Sequence, residues 1–233
     1  MHSVASFHNL GYRLNGQPLL NIDELRLDAG HCSVLSGANG SGKTTLMKIL
    51  AGLLRPDSMQ LNWQNSQLLN WKQARKLLHQ HVVYLHQQPF LFDTTVSNNI
   101  GYGLKHRTEK KPLYKALVQE ALEWAGLSEM AQRHARQLSG GEKQRLAMAR
   151  AYVTEPSLML MDEPMANMDQ ASRAQTYRLI HQLKEKGIAI LISSHELEHI
   201  ETLGDHHLSL HNGKLSIESF NPSPQTTPLR LLK

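Results

Sequence analysis

One stretch limits what this chain can fold into more than any other: Gly37-Ala38-Asn39-Gly40-Ser41-Gly42-Lys43-Thr44. It fits the pattern G-x-x-x-x-G-K-[ST]. It lies between the apolar run Cys32-Ser33-Val34-Leu35 and the helical-looking segment Thr45-Leu46-Met47-Lys48-Ile49-Leu50. A glycine-rich turn lets successive backbone N–H groups face one concavity, and the helix that follows adds the positive end of its dipole, so a polyphosphate can be held largely by main chain. Lys43 then supplies a point charge to the β and γ phosphates and Thr44 a hydroxyl ligand for Mg²⁺. The bland alternative, a Gly/Ser turn that happens to precede Lys and Thr, accounts for neither the strand before it nor the helix after it.

The rest of the chain is expected to supply an α/β frame for that loop. Residues 1 to 36 read as antiparallel β: Val4 to Phe7, a break at Gly11, then Leu19 to Leu27. Tyr12, about 25 residues before the loop, offers an aromatic face that could stack on an adenine, although a strand aromatic more often packs on the core. The helix after the loop is expected to reach about Leu54, where Arg55-Pro56-Asp57 stops it. A strand (Met59 to Trp63), a helix (Trp71 to Leu78) and a buried strand (His81 to Leu85) follow, ended by Gln87-Gln88-Pro89. From Pro89 to about Gln137 no strand signal appears, and Leu113 to Trp124 has helical spacing. This stretch reads as a helical lobe inserted into the α/β core.

Leu138-Ser139-Gly140-Gly141-Glu142 opens the next helix, to about Val153. A capping box explains Ser139 and Glu142 but not two successive glycines, and bare backbone at a helix start again suits an anion. Leu158-Met159-Leu160-Met161 reads as a central parallel strand with Asp162-Glu163 at its C-terminal end, the edge where open α/β sheets bind ligands. One carboxylate there can hold Mg²⁺ through water while its neighbour polarises an attacking water; an exposed Asp-Glu turn is the plain alternative. A helix from about Gln170 to Lys186 leads to the strand Ile188 to Ile192, whose edge carries Ser193-Ser194-His195. Asn212-Gly213 marks a final hairpin, and Asn221 to Lys233 reads as a flexible tail.

Taken in order, the phosphate loop, Gln87 after a strand, Leu138-Ser139-Gly140-Gly141, the strand ending in Asp162-Glu163 and the strand ending near His195 resemble the ATP-binding cassette (ABC) ATPases, from about Tyr12 to Gly213. The resemblance implies a P-loop NTPase (RecA-like) fold: a mostly parallel sheet, an N-terminal antiparallel β subdomain and an inserted helical lobe. The expected domain is 1–220, with core 1–88 and 151–220 and lobe 89–150. By the same resemblance ATP meets Tyr12, the loop Gly37 to Thr45, and Ser139, Gly140 and Gly141. Mg²⁺ meets Thr44, Gln87 and Asp162; Glu163, His195, Lys43 and Gln87 serve catalysis. Ala166-Asn167-Met168-Asp169 is similar to the family's D-loop. Glu142 stands where glutamine is commonest, and Met59 where a turn glycine is usual.

The family's working unit is a dimer, so the resemblance implies a second copy of the chain, the Ser139 segment of one closing over the phosphates held by the other. It also implies a separate transmembrane permease docking on the helical lobe near Phe90 to Leu104, and a solute-binding protein. The resemblance leans towards import, because just before Leu138 there is no extra glutamate-containing loop of the kind typical of the family's exporters. No large extension is read after residue 217, which sets the chain apart from many sugar-importer ATPases. The segments Gln88 to Leu104 and His134 to Gln137 are similar to oxyanion importers such as those for tungstate or molybdate. An exporter or lipid-extraction ATPase would carry the same motifs. A DNA-acting relative would need a coiled-coil insertion, and a ribosomal one a second cassette.

Composition narrows the setting. The chain has 233 residues, 40% of them apolar and 19% charged, enough for one large domain or two lobes. No signal peptide and no apolar run of bilayer length is read, so membrane association is expected through the permease, on the inner face. The single cysteine, Cys32, rules out an internal disulfide and fits a cytoplasmic protein. The net charge of +5 is carried by Lys and Arg that read as scattered rather than striped, so no nucleic-acid partner is expected. The pairs His79/His81 and His206/His207 lack companions at metal-ligand spacing.

Overall fold

The computed structural model describes residues 3–64, 66, 69–104 and 111–219. The expected tail from Asn221 lies outside them. Two sheets organise the molecule. The first is antiparallel, in the order β2-β1-β4, from β1 (Ser3–Leu14), β2 (Gln17–Asp28) and β4 (Ser58–Trp63). The second has the order β5-β6-β7-β3-β8-β9, from β3 (Cys32–Ser36), β5 (Val82–Leu85), β6 (Leu158–Asp162), β7 (Ala189–Ser193), β8 (His206–His211) and β9 (Lys214–Ser219). It is parallel as far as β8, with β9 antiparallel at the edge. Seven helices are described: α1 (Lys43–Leu50), α2 (Trp71–His81), α3 (Val96–Tyr102), α4 (Lys111–Trp124), α5 (Gly140–Tyr152), α6 (Gln170–Glu185) and α7 (Leu197–Leu203).

The central strands are apolar on both faces because both faces are covered. Leu158 and Leu160 of β6 and Leu191 of β7 face a core shared with the antiparallel sheet, α1 and α2. Met159, Met161, Ile190 and Ile192 alternate to the other face, against residues of α5, α6 and α7. Each is at most 1% exposed, so truncating Leu160 to Ala should cost about 2–5 kcal/mol. A third core joins α3, α4 and α5 through residues such as Ile100, Leu122 and Leu146.

Two expected boundaries move. Gly11 does not break β1, which runs on to Leu14 with only an irregular register against β4 between His8 and Gly11. A Cβ at Gly11 would lie 2.8 Å from Ser58 Oγ, so the glycine marks a close approach within a strand. Helix α1 ends at Leu50, short of Leu54. Gly52, with φ 73°, closes it: its N–H donates to Ile49 O and that of Leu53 to Lys48 O, the two bonds of a Schellman cap. Glycine stops this helix before proline can.

Both hairpins use Asn-Gly. Asn15 and Gly16 (φ 52° and 79°) join β1 to β2, and Asn212 and Gly213 (φ 48° and 76°) join β8 to β9, the positive pair that a two-residue turn between twisted strands requires.

Candidate phosphate-binding and hydrolytic site

The phosphate loop leaves β3 and ends at α1, and two of its glycines are forced. A Cβ at Gly37 (φ 152°) would lie 2.6 Å from Leu210 O, and at Gly42 (φ 104°) 3.0 Å from Leu20 Cδ2. Gly40 (φ 82°) has open space around it but adopts a left-handed conformation. Gly42 is the N-cap of α1 and supplies no side-chain cap; no acid occupies the first turn. The positive end of the helix is therefore left without an anion of its own.

Lys43, at 8% exposure, folds back over this cradle and donates to Gly37 O (2.7 Å) and Ala38 O (3.2 Å). Ser41 Oγ is buried with no partner among the described residues. A bare helix N-terminus, a lysine bonded only to loop carbonyls and an orphaned hydroxyl together fit a phosphate chain.

Strand order brings the acids to this loop. Parallel pairing sets Asp162 at the end of β6 opposite Ser193 of β7, and β7 neighbours β3, from which the loop departs. Asp162, 6% exposed, accepts three hydroxyls: Thr44 Oγ1 (2.8 Å) and Tyr84 (3.0 Å) on Oδ2, and Ser193 Oγ (2.5 Å) on Oδ1. Burial raises the Tyr84 hydroxyl's pKa, with the Asp162 carboxylate adding to the effect, so Tyr84 remains a donor. A carboxylate and a threonine hydroxyl in contact are the hard oxygen donors that suit Mg²⁺.

Glu163 is held in an unusual conformation. Its φ is 44°, and its N–H donates to Ser193 Oγ at 2.9 Å. Left-handed backbone at a non-glycine residue costs on the order of 1 kcal/mol and persists only where the surroundings impose it. Gln87 Nε2 donates to Glu163 Oε2 at 3.2 Å, and His195 Nδ1 lies 3.4 Å from Oε1. The carboxylate is thus flanked on both oxygens. The turn bearing His195 is anchored by Ser194 Oγ to His199 Nδ1 at 2.6 Å and by Arg173 to Glu196 at 3.0 Å. Burial lowers the pKa of His199, keeping it neutral near pH 7.

A cavity of about 300 Å³ joins these groups, lined by Asn39, Lys43, Thr44, Gln87, Asp162 and Glu163, with Gly40, Gly42 and Thr45 at the loop and Leu14 and Leu19 at its apolar side. Of the expected site residues, Gly37, Ala38, Ser41 and His195 adjoin these groups without lining the cavity, and Tyr12 and the Ser139–Gly141 segment, the latter expected to serve another copy, stand outside it. Tyr12 is half-buried against the core under the antiparallel sheet and does not line the cavity. Ser139, Gly140 and Gly141 begin α5 and do not line it either. Ser139 and Glu142 form a complete capping box, with Glu142 Oε2 2.7 Å from Ser139 N. Gly141 has a packing reason, since a Cβ there would lie 2.5 Å from Ser172 Oγ; Gly140 is exposed with nothing near.

Sequence reading missed Tyr84, Ser193, Leu14 and Leu19. The polar end of β7 is a signal for Ser193, and the strand leading to Gln87 one for Tyr84. Nothing local marks the two leucines.

The family model described as ABC transporter matches residues 20–166. A putative ABC transporter ATP-binding protein of Archaeoglobus fulgidus is 34% identical over 192 residues, covering 82% of this chain and 66% of that protein. The molybdate/tungstate import ATP-binding protein WtpC of Thermococcus kodakarensis is 35% identical over 194 residues, covering 81% and 57%. The chain thus spans about two thirds or less of these relatives' lengths. Among solved structures, cbiO1 of Clostridium perfringens, described as part of the ABC transporter complex cbiONQ, superposes with a TM-score of 0.86 at 23% identity, covering 95% of this chain and 90% of that one. It shares the fold.

Proposed function

The chain belongs to the ABC transporter family, and from that premise we propose that it is the ATP-hydrolysing motor subunit of an importer, working as a dimer. One observation carries the reading. The open phosphate loop, the Thr44–Asp162 contact and the flanked Glu163 meet in one cavity, while the second glycine-rich segment stays outside it. Such a chain binds the triphosphate alone but needs the Ser139–Gly141 segment of another copy to cover it.

In this reading Lys43 exchanges its two loop carbonyls for phosphate oxygens, and the N–H groups from Gly40 to Thr45 take the remaining charge. Thr44 and Asp162, with Gln87 at the rim, would hold Mg²⁺, which neutralises phosphate charge when bound. Glu163 accepts a proton from the attacking water, held in aim by Gln87 and His195. Catalysis here is positioning and electrostatics, so the strained turn at Glu163 is part of the machinery.

Gln87 is also the link to a partner. Three residues on, Phe90 is 72% exposed, and the Phe92 ring lies tilted at 36° against that of the exposed Tyr102, with centroids 3.8 Å apart. We assign this aromatic patch at the edge of the helical lobe to the permease. No helix of the described residues is long and apolar enough to cross a membrane, so the proposed seat is the inner membrane face, through that permease, with a solute-binding protein completing the system. An oxyanion such as molybdate or tungstate is the proposed cargo, supported by the Thermococcus relative.

The test is uptake of labelled molybdate or tungstate into vesicles carrying the chain with its membrane partner. With the chain facing the lumen and ATP enclosed there, ATP-dependent accumulation of the oxyanion on the chain's side is expected. ATP-driven extrusion or lipid release instead would overturn import.

A further inference from the structure

The sequence scatters its cations, but the fold gathers four of them. Arg55, in the loop after α1, and Lys72, Arg75 and Lys76 of α2 line one groove of about 690 Å³, together with Trp71 and His79. Lys72, Arg75, Lys76 and His79 repeat at i, i+3, i+4 and i+7, so they share one face of α2. Ala74 and Leu78, on the other face, are fully buried. None of the four Lys and Arg residues is ion-paired with a described residue, and Ser58 to Phe92 contains no Asp or Glu at all. The groove adjoins a second of about 520 Å³ that shares Arg55, Asn70 and Trp71 with it and runs along the edge strand β4 past Ser58 and Gln60; the one acid lining this second groove, Asp57, is paired with Arg13 at 3.4 Å.

We propose that this trough docks an acidic polypeptide segment of a partner protein. The charges are spread over two turns of helix, about 10 Å, too far for a single small anion to reach them all. No cation there is buried as a dedicated ion site would need: Arg55, Lys72, Arg75 and Lys76 are all exposed. The N-terminus of α2 is filled by its own Asn70–Gln73 capping box, so it presents no free anion hole. A lipid-inserting helix turns apolar residues outward, whereas α2 keeps its own in the core. A segment carrying several carboxylates along its length matches the trough in both charge and shape. Helix α2 runs directly into β5 and so towards Gln87, which puts the docked segment one strand from the Gln87–Glu163 contact. The motor reading suggests where the segment comes from, but the groove's preference does not depend on hydrolysis.

The test is fluorescence anisotropy of labelled octaglutamate with the full chain, under saturating MgATP so that the phosphate loop is occupied. Two charge-reversed variants of equal net charge are compared: K72E/R75E/K76E in the groove, and K115E/R133E/K214E at exposed positions elsewhere. The groove variant should bind about tenfold more weakly or worse, since three rim pairs are lost; the control should stay within about twofold of the parent chain. Equal ATP-induced thermal shifts for both variants establish that they fold. Absence of binding by the parent chain, or equal losses in the two variants, overturns the proposal. So does displacement of the peptide by inorganic phosphate at matched charge, or groove-dependent sedimentation with phosphatidylglycerol vesicles. In the nucleotide-free chain carrying Lys43→Ala, which should disable hydrolysis and remove the competing anion site, the groove substitutions should weaken peptide binding by the same factor as in the parent chain with MgATP, separating failure of this inference from failure of the motor reading.

Discussion

The two glycine-rich segments look alike in sequence and are built on opposite principles. At Gly37–Thr44 the helix start is uncapped, three glycines hold positive φ, a lysine turns inward and a buried serine hydroxyl has no partner. At Ser139–Gly141 the helix start is filled by its own Ser139 and Glu142, and one of the two glycines exists to let α6 approach. The first segment is unsatisfied without an anion; the second is complete without one. A glycine-rich helix start is therefore an anion site only when the chain withholds its own cap, which makes the first segment the part that binds alone and the second a surface for covering.

The sharpest way to break this contrast is catalytic. Lys43→Ala should lower ATP turnover by about 10²-fold or more, read as phosphate release; substantial residual activity would refute the site. Glu163→Gln should lose turnover on a similar scale and, with MgATP, elute as a dimer in size-exclusion chromatography. A variant that remains monomeric would remove the borrowed lid from the account.

Binding separates the segments next. ATP at about 100 times its dissociation constant should stabilise the chain by about 2.7 kcal/mol. That shift should vanish in Lys43→Ala and survive in Ser139→Ala. A Ser139→Ala chain without the shift would mean that the second segment shares the site within one copy.

Stability distinguishes them more finely. Gly37→Ala forces a Cβ against Leu210 O and should cost about 1–3 kcal/mol, whereas Gly140→Ala, with open space around it, should stay within about 0.5 kcal/mol. Between the two, Ser139→Ala should cost about 1 kcal/mol through the lost cap. Paired thermal melts check each value, and a Gly140 variant as damaged as the Gly37 one would mean that both segments are strained loops.

How much of this was legible beforehand depends on the range of the physics involved. The phosphate loop, the apolar β6 run, the Ser139 capping box and the Asn212-Gly213 hairpin are local, set by φ preferences, alternation and side-chain reach within a few residues. Reading went astray where a local sign had a tertiary cause: Gly11 suggested a break, but the strand continues because Ser58 approaches it there. Lys72, Arg75 and Lys76 stand at helical spacing within an expected helix and were legible as a stripe, but Arg55 joins them only through packing. Tyr84 and Ser193 were missed because their value lies in reaching Asp162 from two other strands.

By itself, then, the sequence determined which segments are helix, strand and phosphate loop, and which residue types stand ready at the ends of strands, since propensity, capping and periodicity act over one or two turns of chain. Only the tertiary structure decided that Thr44, Tyr84 and Ser193 converge on Asp162, that Gln87 and His195 flank Glu163, and that Ser139 does not reach them. Those facts depend on strand order in a parallel sheet, where neighbours such as β3 and β7 are separated by more than 150 residues, and no local rule of chain conformation carries that far.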